Sequence, residues 1–157
     1  MPIRRFEKGD VPRLTDIVRA TNVFRPEEVA VAVELMDISA DGSNDEDYVL
    51  FTYVDDGGTV QGYYCVGPTP MTTSTFDLYW IAVEPGVQGK GIGHELLTHC
   101  ERYVKDHGGT LIMVETSSQP KYDGTNKFYR NHRYEQSARV KDYYGPADDL
   151  IVYSKHV

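Results

Sequence analysis

The chain has 157 residues, which is the length of one ordinary domain and too short for two large ones. Hydrophobic residues make up 40% and charged residues 25%, so a wholly disordered or fibrous chain is excluded. The 16 Lys and Arg against 24 Asp and Glu give a formal charge of −8, which argues against a general nucleic-acid-binding protein. No apolar run approaches the roughly 18 residues of a membrane span, and no apolar stretch follows the first basic residues. We therefore expect a cytoplasmic protein that binds neither membrane nor nucleic acid.

The two cysteines, Cys65 and Cys100, lie far apart, and neither belongs to a Cys-x-x-Cys pair. A zinc site or a redox motif is therefore not indicated. Two interpretations remain, a disulfide between them and two reduced, buried thiols. We favour the thiols, because a cytoplasmic compartment keeps cysteines reduced and free cysteine is often buried.

Hydrophobic periodicity, turn residues and helix-start signals divide the chain into strands and helices. The predicted strands cover residues 3–6, 48–54, 60–66, 76–83, 110–115, 133–143 and 150–154. The predicted helices cover residues 10–20, a segment that begins at Pro26, and residues 92–105 and 124–131. The acidic segment 41–47 is predicted to be a solvated loop, since runs of charge usually face water. Antiparallel strands followed by a strand–helix–strand crossover indicate one α/β (α+β mixed) domain, residues 1–157, built around a single sheet.

A glycine-rich turn carries the most chemical information. It joins a predicted strand to a predicted helix and contains Gly89, Gly91 and Gly93. Glycine allows positive φ and a close approach to a ligand, and a helix start offers unpaired N–H groups that suit phosphate. Lys90 is not followed by Ser or Thr, as a Walker A loop requires, and the third glycine comes one residue early for a dinucleotide fingerprint. The turn therefore predicts a phosphate or diphosphate site of another kind.

The turn resembles the acetyl-CoA loop of the GNAT superfamily of N-acetyltransferases. That loop has Gln or Arg followed by x-x-Gly-x-Gly/Ala, which matches Gln88, Gly91 and Gly93, and residues 80–85 are similar to the family's central strand. The order of elements fits over nearly the whole chain. The resemblance implies a GNAT-like single domain with a central mixed, mostly antiparallel sheet flanked by helices and a splayed central strand pair.

A second GNAT motif, a helix that carries Phe-Tyr and ends before Gly-Phe, is similar to residues 126–134. Phe128 and Tyr129 supply the Phe-Tyr pair. His132 or Arg133 stands in place of the Gly, and Tyr134 in place of the Phe. We expect this departure to affect a turn rather than the chemistry.

The resemblance implies acetyl-CoA as the co-substrate and no metal. In the family, the pantetheine arm lies between the splayed strands and the glycine-rich loop holds the diphosphate. The residues of this chain implied in acetyl-CoA binding are Ile81, Ala82, Val83, Gln88, Gly89, Lys90, Gly91, Ile92, Gly93, His94, Asn126 and Tyr129.

Direct acetyl transfer to an amine requires a base for the amine proton and an acid for the leaving thiolate. Tyr129 matches the family's usual acid, and the alternative is a core tyrosine. Glu115 ends a predicted strand where its carboxylate would face the cleft, so we favour it as the base. A water chain in that role, or a salt-bridged Glu115, remains an alternative.

Three residues are the candidates for binding the acceptor. Asp77 and Tyr79 occupy alternate positions on the strand next to Glu115. The segment 142–149 loosely resembles the substrate-facing hairpin of GNAT enzymes that acetylate protein N-termini. That resemblance implies a substrate contact for Tyr143 or its neighbour Tyr144.

The sequence therefore predicts an enzyme that moves acetyl from acetyl-CoA to a primary amine of a small molecule or a peptide. A homodimer is a family-level expectation. The alternative is a non-catalytic module that binds CoA or a peptide. A zinc protease is not indicated, because His94 and His99 are five residues apart rather than four and point in different directions on a helix.

Overall fold

Strands and helices follow one another along the chain in the computed structural model, which describes residues 2–42 and 46–157. The strands are β1 (Ile3–Arg5), β2 (Val49–Val54), β3 (Val60–Pro68), β4 (Thr75–Val83), β5 (Leu111–Ser117), β6 (Glu135–Gly145) and β7 (Asp148–His156). The helices are α1 (Val11–Ala20), α2 (Pro26–Ala40), α3 (Ile92–Asp106) and α4 (Asp123–Asn131). The predicted order is confirmed, with ends that differ by a few residues. Residues 43–45 of the predicted acidic loop lie outside the described residues.

Local signals explain where the helices begin. Residues Lys8–Asp10 form a short 3₁₀ helix, whose start is capped by the Asp10 carboxylate accepting the Glu7 N–H at 2.9 Å, so α1 begins one residue later than predicted, at Val11. Pro26 begins α2, because its fixed φ suits the first helical position. Gly91 precedes α3 with a φ of +83°, which allows the chain to turn sharply from the strand into the helix. Among these described helices, none combines the length and hydropathy of a membrane span.

The strands form one sheet in the order β1-β2-β3-β4-β5-β7-β6. Neighbours are antiparallel except β4 and β5, which are parallel and joined through α3. The pairing between β4 and β5 is short, since residues 75–77 pair with 111–113 and the remaining residues of the two strands do not pair with each other. The two strands therefore splay apart, as the resemblance implied, and open a cleft in the middle of the sheet.

Helices cover both faces of the sheet. Along β3, Tyr64 and Val66 join the core beneath α3 and α4, while Tyr63 and Cys65 join the core beneath α1 and α2. This alternation is that of a strand buried on both faces. Cys100 belongs to the core under α3, so the two cysteines lie on opposite faces of the sheet and both are free. The prediction of two buried thiols is confirmed.

The β6–β7 hairpin reaches toward the start of α2. Most of β6 is exposed at the edge of the sheet, but its end at Tyr144 and Gly145 is partly buried. The Arg25 guanidinium lies over the Tyr144 ring, 4.7 Å from its centre. The hairpin and the connection between α1 and α2 therefore meet on one side of the central cleft.

Candidate active site

The splayed part of β4 turns backbone groups toward the cleft. The Glu84 N–H donates to the Gln61 carbonyl at 2.8 Å, so Glu84 and Ala82 direct their backbone groups toward β3. The backbone groups of Ile81 and Val83 then face the other way, where β5 no longer pairs. A ligand with amide groups can hydrogen-bond to this edge as an added strand does.

A cavity of about 620 Å³ occupies this part of the cleft and is called the first cavity below. Its volume lies in the range of small-molecule sites. Its walls come from the splayed strands, the turn before α3, α4 and the connection between α1 and α2. The residues predicted to bind acetyl-CoA that line it are Ile81, Ala82, Val83, Gln88, Gly89, Gly91, Ile92, Gly93, His94 and Tyr129.

Two predicted residues do not line the first cavity. Lys90 is exposed outside it. Asn126 is buried, and its Nδ2 donates to the Ser117 carbonyl at 3.1 Å while its Oδ1 accepts from the Thr116 hydroxyl at 2.6 Å. Asn126 therefore ties α4 to the end of β5, and the expected contact with acetyl-CoA is not supported.

The turn before α3 presents a run of unpaired amides. Gly89 and Gly91 have φ values of +87° and +83°, which residues with a Cβ rarely adopt. Within residues 2–42 and 46–157, the N–H groups from Gly89 to His94 have no acceptor, whereas the Gln88 N–H reaches the Pro85 carbonyl. Successive free N–H groups at a helix start attract anions. The turn thus has the geometry of a diphosphate site.

The third glycine of the turn lets α3 pack against α4. A Cβ on Gly93 would lie 3.2 Å from the Phe128 ring, which is tighter than ordinary contact. Phe128 also meets Tyr129 edge to face, with ring centres 5.4 Å apart. This packing holds Tyr129 in the wall of the first cavity, opposite the turn.

The hydroxyl of Tyr129 is available to a ligand. The side chain is buried among Tyr134 and Tyr153, yet its Oη makes no hydrogen bond to any described residue. Burial raises the pKa of the Tyr129 phenol well above its ordinary value. The hydroxyl therefore stays protonated at neutral pH and can donate a hydrogen bond or a proton into the cavity.

Glu115 extends into the cleft two residues beyond Met113, the last residue of β5 that pairs with β4. Among the described residues, none forms an ion pair with its carboxylate. Partial desolvation raises the pKa of Glu115, and the negative charge of Asp77 raises it further. A carboxylate with a raised pKa accepts a proton more readily than an ordinary one does.

A second cavity, of about 410 Å³, adjoins the first along the splayed strands. The two cavities share several lining residues: Phe24, Tyr79, Trp80, Glu115, Thr116, Lys121 and Tyr122. Asp77 lines the second cavity but not the first, and Tyr129 lines the first cavity but not the second. Glu115 therefore stands at the junction, with Tyr129 on one side and Asp77 on the other.

The hairpin contributes Tyr144 rather than Tyr143 to the second cavity. Tyr143 is 57% exposed and lines neither cavity. Tyr144 is partly buried under Arg25 and lines the second cavity. Of the three predicted acceptor residues, the structure thus brings Asp77 and Tyr79 to the cavity and leaves Tyr143 outside.

The histidines of α3 have separate partners. His94 Nδ1 lies 3.0 Å from His132 Nε2, and His132 Nδ1 lies 2.7 Å from the Phe128 carbonyl. His99 Nδ1 instead lies 2.7 Å from the Tyr64 hydroxyl. His132 also lines the first cavity. Arg133, which directly precedes Tyr134 as the Gly of the motif precedes its Phe, has a φ of +68° and lies in the turn after α4.

Several lining residues were not predicted because they lie on segments remote from the motifs. Phe24, Arg25 and Glu28 come from the start of α2, and Tyr122 comes from the turn before α4. These residues belong to no sequence motif that indicates a binding site. The Phe24 ring meets the Trp80 ring at 5.2 Å, a contact across the fold that only the structure reveals.

Comparison with known proteins gives the family. The sequence pattern of the Acetyltransferase (GNAT) family matches residues 14–132, which is most of the chain. A GNAT-family protein from Desulfovibrio desulfuricans is 37% identical, with 98% of this chain and 97% of that chain covered and a TM-score of 0.90. Among proteins with curated functions, none shows a significant match.

More distant structures share the fold. An aminoglycoside 6'-N-acetyltransferase complexed with coenzyme A is 21% identical, with 99% and 97% of the two chains covered and a TM-score of 0.77. The ribosomal-protein-S18-alanine N-acetyltransferase from Escherichia coli is 19% identical, with 99% and 92% covered and a TM-score of 0.76. The motif match, the 37% identical relative and the splayed sheet agree, and the chain belongs to the GNAT family of acetyltransferases.

Proposed function

We propose that this chain is a cytoplasmic enzyme that transfers the acetyl group of acetyl-CoA directly to a primary amine. One observation carries the proposal. The residues of the turn that carry unpaired amides, apart from Lys90, line the same cavity as the free backbone edge of β4 and the unbonded Tyr129 hydroxyl. Glu115 links that cavity to a second one of a size that suits an acceptor.

The residues present fit acetyl-CoA. The amides from Gly89 to His94 would bind its diphosphate, which carries the negative charge that such amides favour. The backbone groups of Ile81 and Val83 would pair with the amides of pantetheine along the unpaired edge of β4. When bound, acetyl-CoA supplies a thioester, an acyl group activated toward attack by nitrogen.

Glu115 would prepare the acceptor. A protonated amine has no lone pair for attack, and a lysine-like amine has a pKa of about 10.4 in water. The carboxylate at the junction of the cavities would accept the proton from the ammonium, directly or through a water molecule. Its raised pKa brings it closer to that of the amine and so favours the transfer.

Tyr129 would complete the reaction. As the amine nitrogen bonds to the acyl carbon, the carbon–sulfur bond breaks and its electron pair stays on sulfur. The Tyr129 hydroxyl, buried and protonated, would donate its proton to this sulfur. The nitrogen, which becomes positively charged on attack, would then give up its second proton to the tyrosinate, directly or through a water molecule, and so restore the Tyr129 hydroxyl. The products are the N-acetylated amine and free CoA thiol.

The proposal is tested by two measurements on the same sample. Calorimetry measures acetyl-CoA binding, and a thiol-reactive dye measures release of CoA across a panel of amines. We expect binding together with release that requires an amine. Binding without release from any amine would instead favour a non-catalytic CoA-binding module, and absence of binding would contradict both functions.

A further inference from the structure

We propose that the second cavity accepts a compact small molecule with two positive charges, a short diamine, rather than a protein N-terminus. This inference rests on the proposed function, because it names the acceptor of that reaction. It is carried by the charge of the cavity, its aromatic walls and its small volume.

The second cavity has more negative than positive side chains. Its acidic lining residues are Glu28, Asp77, Glu115 and Asp148, and its basic ones are Arg25 and Lys121. Arg25 is already neutralised, since its Nε lies 2.9 Å from the Glu28 carboxylate. Lys121 lines both cavities and is exposed, as Glu115 is. The carboxylates of Asp77, Glu115 and Asp148 outnumber this one remaining cation, so the lining of the cavity has an excess of negative charge.

Three of the four cavity carboxylates form no ion pair with a described residue: Asp148, which accepts a hydrogen bond from the Ser117 hydroxyl, and the pair Asp77 and Glu115. Asp77 and Glu115 project from neighbouring strands where β4 and β5 separate. Partial burial raises the pKa of both groups, and the charge of Asp77 adds to the effect on Glu115. A single ammonium would balance one of these charges, whereas a diamine would balance both.

The walls of the second cavity suit a short alkyl chain between two ammonium groups. The rings of Tyr48 and Tyr79 lie 5.2 Å apart, and those of Phe24 and Trp80 also lie 5.2 Å apart. All four line this cavity. Aromatic faces pack against methylene groups and attract ammonium groups close to them.

Contacts between separate segments hold together part of the lining of the cavity. Arg25 lies over the Tyr144 ring at 4.7 Å, which joins the start of α2 to the hairpin. The Tyr122 hydroxyl lies 3.4 Å from both carboxylate oxygens of Glu28, which joins α2 to the turn before α4. A volume of about 410 Å³ suits a small molecule, whereas a polypeptide bound by its N-terminus would need further room beyond the cavity.

The experiment compares matched acceptors at a fixed concentration of acetyl-CoA, with release of CoA thiol as the signal. Putrescine is the diamine, n-butylamine has the same chain and one amine, and an unblocked alanine peptide represents a protein N-terminus. We expect kcat/KM for putrescine to exceed that for n-butylamine by at least about tenfold, the effect of one charge-assisted contact. Release with the peptide should be lower still.

Variants assign the preference to the cavity. Asp77→Asn should bring the ratio of putrescine to n-butylamine close to one, while Asp106→Asn, an exposed change at the end of α3, should leave the ratio unchanged. Equal use of n-butylamine, or preferred use of the peptide, would overturn the inference and leave the acetyltransferase proposal intact. Binding of acetyl-CoA without release from any of the acceptors would overturn the proposed function itself. The comparison on the unmodified protein decides the matter even if Asp77→Asn does not fold.

Discussion

Tyr129→Phe separates a catalytic hydroxyl from a structural one. The hydroxyl makes no hydrogen bond to the described residues, so its removal should change the free energy of unfolding by less than about 0.5 kcal/mol. As the acid for the leaving thiolate, it should contribute about 10²–10⁴-fold to kcat. We therefore expect a stable variant that binds acetyl-CoA normally and transfers acetyl at least about a hundredfold more slowly. Thermal unfolding, calorimetry and CoA release measure the three quantities.

Tyr153→Phe is the matched control. Tyr153 is also buried and its ring lies 5.9 Å from that of Tyr129, but it lines neither cavity. Its hydroxyl accepts a hydrogen bond from Arg130 at 3.3 Å, so the variant should lose about 0.5–1.5 kcal/mol of stability and keep its kcat. Full activity of Tyr129→Phe across the pH range would refute the assigned role.

Three further predictions concern binding, pH and stability. Gly91→Glu should abolish acetyl-CoA binding in calorimetry, because it adds a negative charge and about 1–2 kcal/mol of strain at positive φ. The control is Gly58→Glu, in a hairpin at a φ of +82°, which should be strained in the same way but still bind acetyl-CoA. In the wild type, activity should fall as the pH drops through the raised pKa of Glu115, since the base must be ionised. This fall at low pH should disappear in Glu115→Gln. If the fall persists in the variant, a water chain rather than Glu115 would be favoured as the base. Burial tends to raise the pKa of Asp10, but hydrogen bonds from Arg4, the Glu7 N–H and Thr52 outweigh burial and lower it. The stability that Asp10 contributes should therefore be present above its unfolded pKa and lost as the pH falls through its folded pKa, and thermal unfolding of Asp10→Asn should lack this dependence.

The cofactor side of the site could be predicted because its signals are local. Gly89 and Gly91 need positive φ, and a turn between a strand and a helix needs few residues to specify it. The same holds for Tyr129, whose motif lies within one helix. Each of these residues lines the first cavity as expected.

The acceptor side could be predicted only in part, because its walls come from segments that meet through tertiary packing. Asp77 was predicted from the strand beside the cleft. Arg25 and Tyr144 are far apart in sequence, and no sequence motif indicates that the Arg25 guanidinium lies over the Tyr144 ring. The sequence alone does not show which of the adjacent tyrosines, Tyr143 or Tyr144, points toward the cavity, because that depends on which face of the hairpin is turned toward it. The sequence does not show that Asn126 lies outside the first cavity, because its hydrogen bonds to β5 are made across the fold.

The most direct test of the account compares acetyl-CoA with S-acetylpantetheine, which keeps the thioester but lacks the diphosphate and the adenosine 3'-phosphate attached to it; Gly91→Glu serves as the control, since it should reduce the affinity for acetyl-CoA and leave that for S-acetylpantetheine unchanged. If the amides from Gly89 to His94 bind the diphosphate, its removal deletes several charge-assisted hydrogen bonds, each of about 1.5–3 kcal/mol. Calorimetry should then show a Kd for acetyl-CoA that is at least about a hundredfold lower than the Kd for S-acetylpantetheine. Equal affinity for the two thioesters, or no affinity for acetyl-CoA, would contradict the account.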